Sequence, residues 1–150
     1  CLVGGALYPG YEGYWTAIQN DPDKSVWITG AAPTPAEIEW ARFAEQTPHY
    51  VVSSAMTSAL WPRTSFVRGL EDIAALKLQS GKDIYLVGGA RTTASLIDAG
   101  LGDELRLILY PLIAGEGKAF FATTERRRGF ELRKVQQVQD GGVSLIYGMG

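Results

Sequence analysis

Leu86-Val87-Gly88-Gly89-Ala90-Arg91-Thr92-Thr93 joins an apolar run to a helix-forming stretch through two residues that lack side chains. A strand ending this way lets a phosphate reach bare backbone N–H groups at the positive end of a helix dipole, so the chemistry offered is the holding of a pyrophosphate. It is not the full G-x-G-x-x-G of the dinucleotide fingerprint. A glycine pair also serves a sharp strand-to-helix turn with no ligand, and the local pattern leaves both readings open. Ser53 and Ser54 close a second β-rich run that starts at His49. No G-x-S-x-G surrounds them, so they are poor nucleophiles. At the C-terminal end of a parallel strand, where open α/β sheets take their ligands, their hydroxyls suit contact with a nucleotide.

Other residues offer less. His49 is the sole histidine and Cys1 the sole cysteine, which excludes a thiolate metal site and an internal disulfide and leaves His49 a structural role. Arg126-Arg127-Arg128 reads as a solvated loop rather than a phosphate clamp. Tyr8, Tyr11, Tyr14 and Trp15 recur at helical spacing and read as core, with Tyr8 the one that could face a cleft. No residue stands out as a catalytic proton donor.

The elements that must carry these groups follow from periodicity and stop signals. Leu7 to Ile18 predicts an amphipathic helix, and Trp27-Ile28 a short extended segment among turn formers. Thr34, Pro35 and Glu37 form a capping box with a proline at the first helical position, opening a helix to about Gln46 with Ile38, Ala41 and Phe43 facing inward. His49 to Ser54 predicts a buried strand and Ser65 to Arg68 a weaker one. A helix opens at Glu71-Asp72 and stops at Gly81. Asp83 to Val87 as strand, Thr92 to Ala99 as helix and Glu104 to Tyr110 as strand predict a β-α-β unit with parallel strands. Phe120-Phe121 reads as an apolar anchor. The segments from Phe130 to Val138 and Val143 to Met149, around Asp140-Gly141-Gly142, predict an antiparallel hairpin. The sheet is therefore expected to be mixed, in one domain over residues 1–150.

Composition agrees with that scale. The chain has 150 residues, 46% hydrophobic and 20% charged, enough for one sizeable core. Fourteen basic against sixteen acidic residues leave a formal charge of -2, which gives no reason to expect nucleic acid or an anionic membrane as partner. No apolar run reaches about 18 residues. A small-molecule ligand and a reducing, cytoplasmic setting are expected. The chain opens on Cys1-Leu2-Val3-Gly4-Gly5 without an initiating Met, as a strand end and turn, so an N-terminal stretch is expected to be missing.

Several blocks together resemble the dihydrofolate-reductase-like family, in particular the C-terminal reductase domain of the bacterial bifunctional riboflavin-biosynthesis deaminase-reductase. They are Leu2-Val3-Gly4 with the Tyr8/Gly10/Tyr14-Trp15 helix, Thr47 to Ser54, Asp83 to Gly89, Leu101 to Arg106, and Pro111 to Phe121. The resemblance implies a mixed sheet flanked by helices, parallel at its centre and closed by the C-terminal hairpin, whose first strand lies upstream of Cys1. It implies NADPH across the C-terminal strand ends, with NADH an alternative. Gly88, Gly89, Ala90, Arg91 and Thr92 would hold the pyrophosphate, Gly4, Ser53 and Ser54 would lie by the adenosine, and Thr93 would fall near the nicotinamide, with Tyr8 on the substrate side. The family's usual cation after the first-strand glycine is replaced by Gly5-Ala6, which leaves Arg68 or Arg91 to meet a 2′-phosphate. The implied activity is hydride transfer to a C=N or C=O bond of a small pterin- or pyrimidine-like heterocycle, and the implied assembly a homodimer. The rival reading is a ligand-binding protein on the same fold without catalysis. A third is a riboflavin-pathway reductase that has lost its deaminase partner.

Overall fold

The computed structural model describes residues 1–24, 26–28, 30–117, 119–121, 124 and 127–149, apart from the side chain at position 140. They fall into two compact units, Cys1–Gly89 and Ala90–Gly150.

The first unit is a parallel sheet with three helices. Its strands are β1 (Leu2–Gly4), β2 (His49–Val52), β3 (Thr64–Val67) and β4 (Leu86–Val87), in the order β3-β2-β1-β4. Val3 pairs with Val51 and Val87, and Val52 with Val67, so the C-terminal ends of all four strands lie along one edge. Strands covered on both faces read as unbroken apolar runs, and Leu2-Val3 and Val51 are buried accordingly. Its helices are α1 (Tyr8–Asn20), α2 (Pro35–Gln46) and α3 (Leu70–Lys77). Val3, Tyr8, Tyr11, Ala44, Val51 and Trp61 form one core cluster, and Tyr14, Ile18, Val26 and Ala41 a second.

The capping box forms as expected. Thr34 Oγ1 accepts from the Glu37 N–H at 3.3 Å, and Glu37 Oε2 accepts from the Thr34 N–H at 2.8 Å, holding the Glu37 carboxyl below its usual range. The inward face of α2 differs from expectation: Phe43 is 47% exposed, and Ala41 and Ala44 are the buried pair. Two small residues three apart let α2 come close to α1, near enough for Gln19 Nε2 to donate to Ala41 O at 2.5 Å. Trp27 and Ile28 are likewise exposed in a turn, and the neighbouring Val26 is buried in their place. β4 is shorter than the expected 83–87, although Leu2 N–H donates to Tyr85 O at 2.9 Å, so the hydrogen bonding starts one residue earlier.

The second unit holds α4 (Ala90–Asp98) and an antiparallel sheet of β5 (Glu104–Leu109), β6 (Glu131–Gln137) and β7 (Val143–Gly148), ordered β5-β7-β6. α4 ends in a Schellman motif: Gly100, at φ +69°, donates to Ile97 O, and Leu101 N–H to Leu96 O. The C-terminal hairpin is present, with its turn at Gln139–Gly141. The expected parallel β-α-β unit is not. β5 pairs antiparallel with β7 over six residues, Glu104 with Gly148 through Leu109 with Val143, and among the described residues has no ladder with β4. Parallel strands, antiparallel hairpin and helices are all as expected, but the strands form two sheets, one parallel and one antiparallel. Phe120 and Phe121 stack edge to face and are each 39% exposed, so they are not a buried anchor. Among the described residues no helix is long and apolar enough to cross a membrane.

Candidate functional site

The parallel register brings six of the expected residues to one rim of the first unit. Gly4 ends β1, Ser53-Ser54 follow β2, Arg68 follows β3, and Gly88-Gly89 follow β4. Neighbouring backbone bonds continue past the strands: Gly5 N–H donates to Val52 O at 2.9 Å and Ser53 N–H to Val67 O at 3.0 Å. The rim is thus a continuation of the ladder rather than a set of loose loop tips.

Gly5, which the sequence shows only as a departure from the family pattern, has a steric reason to be glycine. A Cβ there would lie 2.7 Å from Val52 O and 2.8 Å from Ser53 Cβ. At Gly89 the reverse holds: the residue is exposed and a Cβ would meet nothing within 4 Å. Bare backbone facing open space leaves room for the close approach of a phosphate at this end of β4.

Ser53 and Arg68 are organised around each other. Ser53 Oγ accepts from the N–H groups of Ala55 at 3.3 Å and Met56 at 3.1 Å, which closes a tight turn directly after β2. Arg68 Nη1 donates to Ser53 O at 2.7 Å and to Met56 O at 3.2 Å, so the guanidinium clasps that turn. Its carbon also lies 5.9 Å from the Phe66 ring centroid. The Arg68 backbone N–H is held at 2.7 Å by Asp72 Oδ2, at the start of α3. Arg68 remains exposed, and a cation held by carbonyls has lost much of the rotamer freedom that weakens surface ion pairs. Ser54 is exposed beside it.

Ala90, Arg91, Thr92 and Thr93 open α4 in the second unit; Arg91 is exposed and Thr93 is 8% exposed. Tyr8 does not face a cleft. It is fully buried, and its hydroxyl donates to Glu12 Oε1 at 2.8 Å and lies 2.7 Å from Thr64 Oγ1, so burial pushes its pKa well above the usual tyrosine range. Helical spacing identifies its face but not its depth, which corrects its expected substrate-side place.

His49 is structural, as its isolation implies. It is 1% exposed among the rings of Tyr8, Tyr11 and Trp61, and its Nδ1 lies 2.8 Å from Thr47 O. Burial lowers its pKa from 6.5, the Thr47 carbonyl opposing the shift. Among the described residues no group of three or more His, Cys, Asp or Glu side chains could hold a metal. Of the Arg126-Arg127-Arg128 run, position 126 lies outside the described residues; Arg128 Nη2 donates at 2.7 Å to the carbonyl of Asp98, the last residue of α4.

Spacing alone does not reveal the buried Glu12, whose only signal is a carboxylate four residues from Tyr8 on an apolar helix face.

Comparison with known proteins places this geometry. The uncharacterized protein YyaP of Bacillus subtilis (strain 168) is 37% identical over 78 residues, 52% of this chain and 42% of YyaP, so the aligned stretch spans less than half of that relative. Two crystal structures share the fold at low identity. One, a riboflavin-biosynthesis candidate from Shewanella sp. PV-4, superposes with a TM-score of 0.67 at 20% identity, covering 99% of this chain and 72% of that one. The other, a pyrimidine reductase-like protein of Corynebacterium diphtheriae, gives 0.56 at 16% identity, covering 100% and 75%. The RibD C-terminal domain family matches residues 15–144, a range that takes in every rim residue except Gly4 and Gly5. The chain belongs to the RibD C-terminal domain family.

Proposed function

We propose that the protein is an NADPH-dependent reductase that passes hydride to a C=N or C=O bond of a small pterin- or pyrimidine-like heterocycle, as in riboflavin or folate metabolism. The observation that carries this reading is the rim itself: Gly4, Ser53, Ser54, Arg68, Gly88 and Gly89 stand side by side at the C-terminal ends of four parallel strands, the place where open α/β sheets bind nucleotides. Family membership and reductase-like structural relatives support it.

When bound, reduced nicotinamide supplies the hydride, and the protein's part is to bind, orient and exclude water. Gly88, Gly89, Ala90, Arg91 and Thr92 are assigned to the pyrophosphate by their place in the motif, which offers bare backbone N–H groups to it. Ser53 and Ser54 lie toward the adenosine. Arg68 supplies the cation for the 2′-phosphate that the Gly5-Ala6 pair lacks. Thr93 is assigned to the nicotinamide end by its place in the motif. NADH remains a weaker alternative, because backbone donors do not sense the 2′ position. A single domain, a cytoplasmic homodimer and a small-molecule substrate, with no nucleic acid or membrane partner, complete the proposal.

The deciding experiment incubates the protein with NADPH and a panel of pterins and aminopyrimidine ribosides while following the absorbance of the reduced nicotinamide. Substrate-dependent loss supports the reductase. Saturable NADPH binding with no turnover across the panel supports the rival reading, a nucleotide-binding protein without catalysis.

A further inference from the structure

Glu12 lies away from the rim, yet it ties down the segment that carries part of it. Its side chain is 5% exposed, and one oxygen, Oε1, accepts from the Tyr8 hydroxyl at 2.8 Å and from the backbone N–H groups of Leu60 and Trp61 at 2.9 and 2.8 Å. A carboxylate taken out of water persists only where donors replace the lost solvent, and each partner left unpaired on its removal bears a desolvation cost. The three donors come from two parts of the chain: α1 itself and the far end of the β2–β3 connection.

That connection runs from Ser53 to Arg63 and is held at two points. At the rim, Ser53 Oγ holds the N–H groups of Ala55 and Met56, and Arg68 holds the carbonyls of Ser53 and Met56. At the far end Glu12 holds Leu60 and Trp61. Trp61 is 5% exposed, its ring 6.4, 5.9 and 4.9 Å from those of Tyr8, Tyr11 and His49. Between the two anchors the chain has no regular structure, and Leu60 is 73% exposed. The carboxylate is thus a fixed point against which the rim turn is set.

We propose that Glu12 is a positioning residue for the nucleotide rim, acting through Leu60 and Trp61 to hold the turn at Ser53–Met56 in place for the adenosine end of the cofactor. This rests on the dinucleotide reading above. A displaced turn would weaken both cofactors at the adenosine end, and NADPH the more, because the same turn holds the Arg68 guanidinium.

The test compares wild type, Glu12→Gln and Glu12→Leu by amide exchange and by NADPH and NADH titration followed through tryptophan fluorescence, well below each melting temperature. Glu12→Leu is expected to expose the Leu60 and Trp61 amides, to speed exchange at Ser53 and Met56, and to raise the dissociation constant about tenfold for NADH, a change of about 1.4 kcal/mol, and further for NADPH. Glu12→Gln, which keeps an oxygen acceptor, should rescue part of this. Ile18→Val, in the second core cluster, serves as a destabilised control and should leave both affinities unchanged. The proposal is overturned if Glu12→Leu frees Leu60 and Trp61 while both affinities stay within twofold of wild type, or if Ile18→Val weakens them as much. Should Glu12→Leu fail to fold, unchanged affinity and unchanged Ser53 and Met56 exchange in Glu12→Gln overturn it. If wild type binds neither cofactor, the dinucleotide reading fails, and Ser53 and Met56 exchange alone decides whether Glu12 sets the turn.

Discussion

In the proposed reading, Arg68 is the residue on which cofactor choice turns. Its guanidinium is held by the carbonyls of Ser53 and Met56, so it meets an anion with little further ordering. A charge-assisted hydrogen bond contributes about 1.5–3 kcal/mol, or roughly ten- to hundredfold in affinity. Arg68→Ala should therefore erase most of the preference for NADPH over NADH, and titration with both cofactors measures it; an unchanged ratio removes Arg68 from the site. Gly5→Ala should be costly for a different reason. Its Cβ would fall 2.7 Å from Val52 O, so the ends of β1 and β2 must part, at about 1–3 kcal/mol in thermal unfolding. A melting temperature equal to wild type would show that the close approach is unimportant. Strand-end logic makes Ser53, Ser54, Gly88 and Gly89 legible from sequence, because a strand's end and its following turn are local. Tyr8 and Glu12 are not legible in that way: depth of burial depends on Thr64, Leu60 and Trp61, some fifty residues away.

At the scale of elements, local chemistry is the best guide. The Thr34–Glu37 capping box and the Gly100 terminus both rest on contacts within a few residues, and both form as their residue types require. Thr34→Ala should cost about 1 kcal/mol by loss of the cap. Gly100→Ala, forced to φ +69°, should cost about 1–2 kcal/mol. Chemical denaturation tests both, and two losses within error of zero would mean that neither helix end limits folding. Pairing between distant strands is less legible. The order of strand, helix and strand around α4 suggests a parallel crossover, but β5 takes β7 as an antiparallel partner along its whole length. An alternating apolar pattern specifies that a strand is half buried without specifying which neighbour it joins.

Over the whole molecule, a buried neutral histidine gives folding a pH dependence. His49 has its pKa lowered from 6.5 by burial. As pH falls below about 6.5 the unfolded chain takes up a proton that the folded chain refuses, so stability should drop from there down to the folded-state pKa and level off below it. Tyr8 acts at the other end: with its pKa raised by burial, stability should fall as pH climbs past about 10. Melting temperatures of wild type and His49→Gln across pH 4.5 to 8 isolate the first effect, and an identical acid slope in the mutant would assign it elsewhere. The rim of four parallel strand ends is the feature on which the proposed function rests, and its occupancy by NADPH is the claim on which the rest depends. Amide exchange of the protein with and without NADPH reads this most directly. The account predicts saturable binding with a dissociation constant on the order of micromolar and slowed exchange at Gly5, Ser53, Ser54, Gly88 and Gly89. No saturable binding up to roughly millimolar NADPH, or protection confined to residues away from these five, would contradict it.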